Sequence, residues 1–354
     1  MNKIIKEDLN NISFDSSLSK LKNKKVMIVG ANGLIAKYFT YFLMYLNEEK
    51  NYNIKVIALA RNLDKAKINF EDYLGNPNFE LIQQDVCDPI SYDGDVDYMI
   101  HAAGAASPKF IINDPVGIIK ANTIGTINVL EFAKNKNVDN VLFTSTREVY
   151  GKVADDISLI DEDVIGSIDT LESRSCYPES KRVAETIFKA YYNQFNVPFT
   201  IARIAHTYGP TMEIKNDGRV MADFISCAVD GKDITLNSDG TAVRSFCYIT
   251  DTVVGLVKIL LYGKIGEAYN LANETEPYPI KEVATMLTDI FPEKNLKVVL
   301  NTTDSFSKGG YSKVKLIHMN TKKLESLGWQ PKVKLVDGMR NTVLYFEEEK
   351  KRSR

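Results

Sequence analysis

Tyr177 and Lys181 are the residues whose types and spacing point most directly to chemistry. They lie in Glu-Ser-Arg-Ser-Cys-Tyr-Pro-Glu-Ser-Lys-Arg, residues 172–182. On a helix, positions i and i+4 sit one turn apart on one face, so phenol and amine can act together. An unperturbed tyrosine, with a pKa near ~10, is a poor base at neutral pH. A fixed positive charge nearby favours the phenolate and makes it a usable proton acceptor from a sugar or alcohol hydroxyl. The same spacing also occurs by chance on surface helices. Its weight therefore rests on whether a dinucleotide-binding fold lies upstream.

Such a fold is legible. Lys25-Val-Met-Ile-Val-Gly30 reads as a buried strand, and Gly30-Ala-Asn-Gly33-Leu34-Ile35-Ala36 turns it into a long apolar helix through Tyr38 to Leu46. Gly30 permits the tight turn, Gly33 lets backbone approach a pyrophosphate, and the small residue at 36 lets helix pack on strand. The helix N-terminus then offers free N–H groups to phosphates. A second strand, Ile54 to Ala60, should end beside the adenosine ribose, where an acid is expected to bind the 2′-hydroxyl of NAD. Arg61-Asn62 stands there instead. An arginine at that place could contact a 2′-phosphate, so NAD leads with NADP still open.

Phe79 to Val86 reads as a third strand, with Asp85 suited to the adenine edge. Val96 to Gly104 is a fourth, running into His101-Ala102-Ala103-Gly104, where small residues leave room for a cofactor. Asn122 and Gly125-Thr126 open the next helix, and Asn140 to Gly151 is a fifth strand, ending in Thr146, Arg147 and Glu148. Ile201-Ala-Arg203 marks a sixth. Regular strand and helix alternation argues for a doubly wound parallel sheet, with ligands beyond the C-terminal strand ends.

The chain has 354 residues, 44% hydrophobic and 25% charged, with a formal charge of −2. That suits a soluble globular protein and gives no basic stripe for nucleic acid. No apolar run is long enough to span a bilayer, and the polar N-terminus lacks a signal-peptide core, so a cytoplasmic protein without membrane partners is expected. Cys87, Cys176, Cys227 and Cys247 show no Cys-x-x-Cys spacing, and histidines occur only at 101, 206 and 318. Free thiols and no metal site are therefore expected. Residues 1–24 carry Leu9, Ile12, Phe14, Leu18 and Leu21 in a polar background, which suggests an arm lying on the body.

Together Gly30-x-x-Gly33-x-x-Ala36, Asp85-Val86, His101-Ala-Ala-Gly104, Ser145-Thr146 and Tyr177-x-x-x-Lys181 resemble the extended short-chain dehydrogenase/reductases, in their nucleotide-sugar epimerase/dehydratase branch. Three further stretches look most like UDP-glucuronate decarboxylases: Ala106-Ser107-Pro108, Arg174-Ser-Cys-Tyr177 with Lys181-Arg182-Val-Ala-Glu185, and Asn216-Asp-Gly-Arg219 followed by Asp239-Gly-Thr-Ala-Val-Arg244. The resemblance implies an α/β fold, a Rossmann-type sheet with a smaller C-terminal substrate-binding domain. It assigns residues 25–205 and 245–272 to the dinucleotide-binding domain, and 206–244 and 273–354 to the substrate-binding domain.

It also implies roles. Thr146, Glu148, Tyr177 and Lys181 would be catalytic. Gly30, Gly33, Leu34, Ile35, Arg61, Asp85, Val86, Ala102, Ala103, Gly104 and Asn122, with Tyr177 and Lys181, would bind NAD. Ser107, Arg147, Arg219 and Arg244 would meet a nucleotide-sugar, a UDP-sugar being favoured, with Arg244 forking onto the diphosphate. Decarboxylation ranks first, then 4-epimerisation, then 4,6-dehydration, with a net NAD(P)H-dependent reductase as a further class.

Arg147 is a departure, standing where the decarboxylases have Ser and the 4,6-dehydratases have the Asp that protonates a departing hydroxyl. An arginine cannot supply that proton. It could pair with a substrate carboxylate, or with Glu148 or a surface acid. His206 reads as structural. Apolar positions on several sides of the helices at 117–135 and 178–194 fit a homodimer, and a thick monomer core equally well.

Overall fold

The computed structural model describes residues 1–12, 16–301 and 318–352, so Phe14 lies outside the described residues. The strands expected from the apolar runs form one seven-stranded parallel sheet: β1 Lys25–Val29, β2 Lys55–Ala60, β3 Phe79–Gln83, β4 Tyr98–His101, β5 Asn140–Thr146, β6 Phe199–Ile204 and β7 Glu267–Leu271. Their order is β7-β6-β5-β4-β1-β2-β3, so the direction of winding reverses between β1 and β4. Gly30 and Ala102–Gly104 follow those two strands, which places the glycine turn in the crevice where such sheets bind ligands. The third strand is shorter than expected, because Asp85 leaves the ladder and its carboxylate accepts from the Cys87 amide at 2.9 Å.

Alternation along each strand sorts the core into two layers. Val26, Ile28, Val56, Ala58, Ile100, Leu142 and Ala202 face one side, with helices α2 (Leu34–Lys50) and α6 (Ile249–Tyr262) over them. Met27, Val29, Ile57, Leu59, Met99, Val141, Phe143 and Ile201 face the other, under α3 (Pro115–Lys136) and α4 (Cys176–Phe195). Both faces are covered, so the strands read as continuous apolar runs and not as alternating ones.

Three of these helices stop on a left-handed asparagine: Asn51 at φ 53°, Asn137 at φ 51° and Asn196 at φ 56°. Asparagine tolerates that conformation where most residues do not. Asp114 caps the start of α3 by accepting from the Gly117 amide at 3.0 Å, with Pro115 at the first helical position.

The N-terminal stretch does lie on the body, as helix α1 (Lys3–Asn10). Asp8 fixes it there. Its carboxylate accepts from Asn341 Nδ2 at 2.8 Å, from the Tyr38 hydroxyl at 3.2 Å and from the Tyr248 hydroxyl. Burial raises the Asp8 pKa, and these hydrogen bonds to the charged form hold the rise in check. Three further helices, α5 (Val220–Asp230), α7 (Ile280–Ile290) and α8 (Leu335–Arg352), pack on one another beyond the sheet. Among the described residues, no helix is long and apolar enough to cross a membrane.

Candidate active site

The turn after β1 is built for close backbone approach. Gly30 has φ 88°, and a Cβ there would stand 2.7 Å from the Ala103 backbone. The two loops at the winding reversal are thus pressed together, which only glycine allows. Gly33 precedes α2 with no side chain over the helix end, leaving its first N–H groups open. Leu34 and Ile35 form the first turn, half-buried against the core.

On the opposite wall, Asn122 donates to Ser180 Oγ at 3.0 Å, and Ser180 Oγ donates to the Tyr177 carbonyl at 3.0 Å. This ties α3 to the helix carrying the candidate base. The Asn122 Oδ1 and Ser107 Oγ atoms are buried without a protein partner among the described residues. Gly104 lies against that Oδ1, at 2.8 Å from where a Cβ would be. Buried polar groups are normally satisfied, so these two suit a ligand with hydrogen-bonding groups. Gly cradle, open helix end and buried polar atoms together fit a dinucleotide. Val86 packs against Gly125 in the same wall. Arg61 is exposed at the end of β2, and Asn62 turns the chain by capping the short helix Leu63–Asn69, accepting from Lys65 N at 2.9 Å.

The two residues read first lie on α4 as expected, in its first two turns, and both are buried. Tyr177 packs with Ile111 and Ile118. Burial drives its pKa upward, and the charge of Glu148 adds to that; a hydrogen bond with Thr146 and the charges of Arg174 and Arg219 oppose the rise. The charges that oppose the rise on the phenol are those of Arg174 and Arg219. Lys181 Nζ instead donates to the Thr144 carbonyl at 2.8 Å and lies 4.5 Å from the centre of the Phe143 ring. Desolvation lowers its pKa to about 7, with Glu185 pulling the other way.

That has a consequence for stability. An amine whose pKa is about 7 when folded, and ordinary when unfolded, binds fewer protons in the native state between those values. Stability should rise with pH across that window, by at most ~1.4 kcal/mol per unit. Urea unfolding of the cofactor-free protein at pH 7.5 and 9, against Lys181→Met, measures it. Equal pH slopes for the two proteins would refute the depressed amine.

Thr146 ends β5, and its Oγ1 accepts from the Glu148 amide at 3.2 Å. Arg147 and Glu148 begin the single turn Arg147–Tyr150 that follows. Glu148 is bonded to Arg174 Nη2 at 2.7 Å, not to Arg147. Arg174 is a partner that the sequence motif does not single out; its place three residues before Tyr177 is the one signal for it.

Arg147 Nη1 meets His206 Nε2 at 3.1 Å. His206, at φ 45°, follows the end of β6. It is accessible to water yet walled in, and desolvation with the flanking charges of Arg147 and Arg244 lowers its pKa, keeping it neutral. Arg219 is forked onto Asp217, with Nη2 to Oδ2 at 3.1 Å. Gly218 in that loop lies against Pro108, 3.4 Å from where a Cβ would be. Thus Thr146, Glu148, Tyr177, Arg219, Arg147 and Arg244 converge beyond the ends of β5 and β6, whereas Arg61 and Asp85 stand apart at the end of β2 and β3.

The profile of a family described as the NAD dependent epimerase/dehydratase family matches residues 26–272. The chain belongs to that family. Its cofactor is NAD, which settles the choice that Arg61 left open. UDP-glucuronic acid decarboxylase 6 of Arabidopsis thaliana is 38% identical over 319 residues, covering 90% of this chain and 87% of that one. UDP-glucuronic acid decarboxylase 1 of Danio rerio is 34% identical over 335 residues, 94% of this chain and 75% of that one. Among solved structures, UDP-glucose 4-epimerase from Thermotoga maritima with UDP-glucose superimposes with TM-score 0.75 at 21% identity, over 92% of this chain and 99% of that one. A dTDP-glucose 4,6-dehydratase from Bacillus anthracis in complex with NAD gives TM-score 0.73 at 21% identity, over 93% and 98%. Those two likenesses establish the fold; membership of the family establishes an enzyme.

Proposed function

We propose that the enzyme oxidises C4 of a UDP-hexuronate transiently, with UDP-glucuronate as substrate and loss of carbon dioxide as the leading outcome. The observation that carries this is the meeting of Thr146, Tyr177 and Glu148 beside the Gly30 turn, in a chain similar throughout to proteins named UDP-glucuronic acid decarboxylases. Bound NAD would supply a hydride acceptor and, later, the returning hydride, so no net redox change results. Gly30, Gly33, Leu34 and Ile35 would hold its pyrophosphate, Arg61, Asp85 and Val86 its adenosine end, and Ala102, Ala103, Gly104 and Asn122 its inner half.

Tyr177 takes the proton of the 4-hydroxyl, and Thr146 hydrogen-bonds the same oxygen as it becomes a ketone. Lys181 would move from the Thr144 carbonyl to a ribose hydroxyl of the cofactor. Once C4 is a ketone, the C6 carboxylate is that of a β-keto acid and is primed to leave. Glu148, oriented by Arg174, would handle the proton at C5. Arg219, Arg244 and Ser107 would hold the nucleotide diphosphate. Residues 206–244 and 273–354 would form the substrate-binding domain over the crevice, and residues 25–205 with 245–272 the dinucleotide-binding domain.

Epimerisation at C4 is the second reading, favoured by Arg147, which replaces the family's usual Ser. Dehydration ranks below both, since position 147 holds no acid. Incubation with UDP-glucuronate, followed by chromatography and mass measurement, tests the ranking. A product lighter by one carbon dioxide supports the first reading and an isobaric epimer the second; no turnover of any nucleotide hexose or hexuronate would remove the whole class. A homodimer through α3 and α4 also fits, because Val116, Ile119, Ile124, Ile127, Val183 and Phe195 are exposed there. A cytoplasmic setting fits a nucleotide-sugar substrate.

A further inference from the structure

Arg147 occupies an unusual electrostatic position. Among the described residues no carboxylate bonds it; its partner is the neutral ring of His206 at 3.1 Å. The acids whose charges reach it, Glu274 and Glu148, are both engaged elsewhere. Glu148 bonds Arg174 at 2.7 Å, and Glu274 bonds His318 Nδ1 at 2.9 Å and the Met319 amide at 3.1 Å. Arg244 lies on the same side, where burial first and the charge of Arg147 second lower its pKa. Arg147, held among the described residues by an imidazole and by no carboxylate, leaves a guanidinium charge beside Thr146. An anion fits there.

We propose that Arg147, seated on His206, is a clamp for the sugar's C6 carboxylate and acts as a brake on its loss. The inference rests on the hexuronate reading above. When the 4-keto acid loses carbon dioxide, the C5–C6 bond breaks and its electron pair passes through C5 onto the C4 oxygen as an enolate. Carbon dioxide leaves uncharged, and C5 then takes up a proton. Negative charge therefore migrates from the carboxylate to O4. An arginine on the carboxylate stabilises the starting charge and not the migrated one, so it slows the step. Thr146 and Tyr177, at O4, favour it. With Ser at 147 only the second influence operates. With Arg at 147 the ketone lives longer, and hydride return to either face of C4 competes with carbon dioxide loss. Arg147 thus sets specificity at a branch, and His206 positions it.

The test is the product ratio, which does not depend on how much of a variant folds. Wild type supplied with UDP-glucuronate should give both UDP-pentose and an isobaric C4 epimer of the substrate. Arg147→Ser should raise the pentose-to-epimer ratio about tenfold, the size of one partly buried charge contact. Arg147→Lys should keep the wild-type ratio to within a fewfold, and His206→Phe should move it toward that of Arg147→Ser. Pentose alone from wild type, or the same ratio from wild type and Arg147→Ser, overturns the clamp while leaving the C4-oxidation reading intact. Turnover of a neutral nucleotide hexose with none of UDP-glucuronate overturns the substrate reading, and the clamp with it.

Discussion

Tyr177→Phe is expected to lower turnover of the nucleotide sugar by ~10³-fold or more while leaving the fold and cofactor retention unchanged. The ring would still pack on Ile111 and Ile118, and only the hydroxyl hydrogen-bonded to Thr146 would go. General-base catalysis contributes ~10²–10⁴-fold, and on the proposed reading the same oxygen would also help fix the reacting hydroxyl with Thr146. Burial and Glu148 push the phenol up, so the free protein holds it protonated at neutral pH. Substrate and cofactor must therefore bring the phenol into play, and removing it leaves no other base at that oxygen. The measurement is the rate of product formation in a single turnover, with the copurified NAD quantified from the same sample. A Tyr177→Phe protein that retains NAD and turns over within tenfold of wild type would transfer the role of base elsewhere, Glu148 being next in line.

The largest effect on stability is expected at Glu185. Its carboxylate takes two hydrogen bonds from Arg203, Nη2 to Oε2 at 2.7 Å and Nε to Oε1 at 3.1 Å, and one from Ser145 Oγ at 2.6 Å. Side-chain exposures of 13% and 15% leave little water to replace those contacts. Arg203 also donates to the Glu162 carbonyl at 2.7 Å and to the Tyr150 hydroxyl at 3.0 Å, and lies 4.9 Å from the centre of that ring. Glu185→Ala strands a guanidinium in this enclosure, at a cost of about 3–5 kcal/mol. Replacing both partners by apolar residues of similar volume should recover much of it. Denaturant unfolding of the two single variants and the double variant measures both numbers, and a loss under 1 kcal/mol for Glu185→Ala would refute the account.

Much of the fold could be read from the chain because both faces of the sheet are covered. Covered strands are unbroken apolar runs, and Gly30, Gly33 and the Ala102–Gly104 turn mark where backbone must come close. The seventh strand, Glu267–Leu271, was the least visible: it is short, half of it polar, and legible only as part of a return to the sheet. The placing of Tyr177 and Lys181 one turn apart on one helix could be read from their spacing, and Thr146 at the end of a strand from the apolar run before it.

What stayed hidden was pairing at a distance. Nothing in the order of residues says that Glu148 takes Arg174 while Arg147 takes His206, because the four come from three separate segments that meet only when β5, α4 and β6 lie side by side. The state of Lys181 was equally hidden, since its lowered proton affinity comes from burial under Phe143 and Thr144 and not from its neighbours in the chain.

The order of strands carries a consequence for synthesis on the ribosome. Strands β1 to β6 are all synthesised by Ile204, as are Tyr177 and its helix, but β6 must wait for Glu267–Leu271 to close its outer side. In the interval the nascent chain presents an open row of amide and carbonyl groups from Thr200 to Ile204. Such a margin can join a neighbouring copy instead of its own late strand. Crowded translation is thus the moment at which this protein is most exposed to mispairing, long before any sugar reaches it.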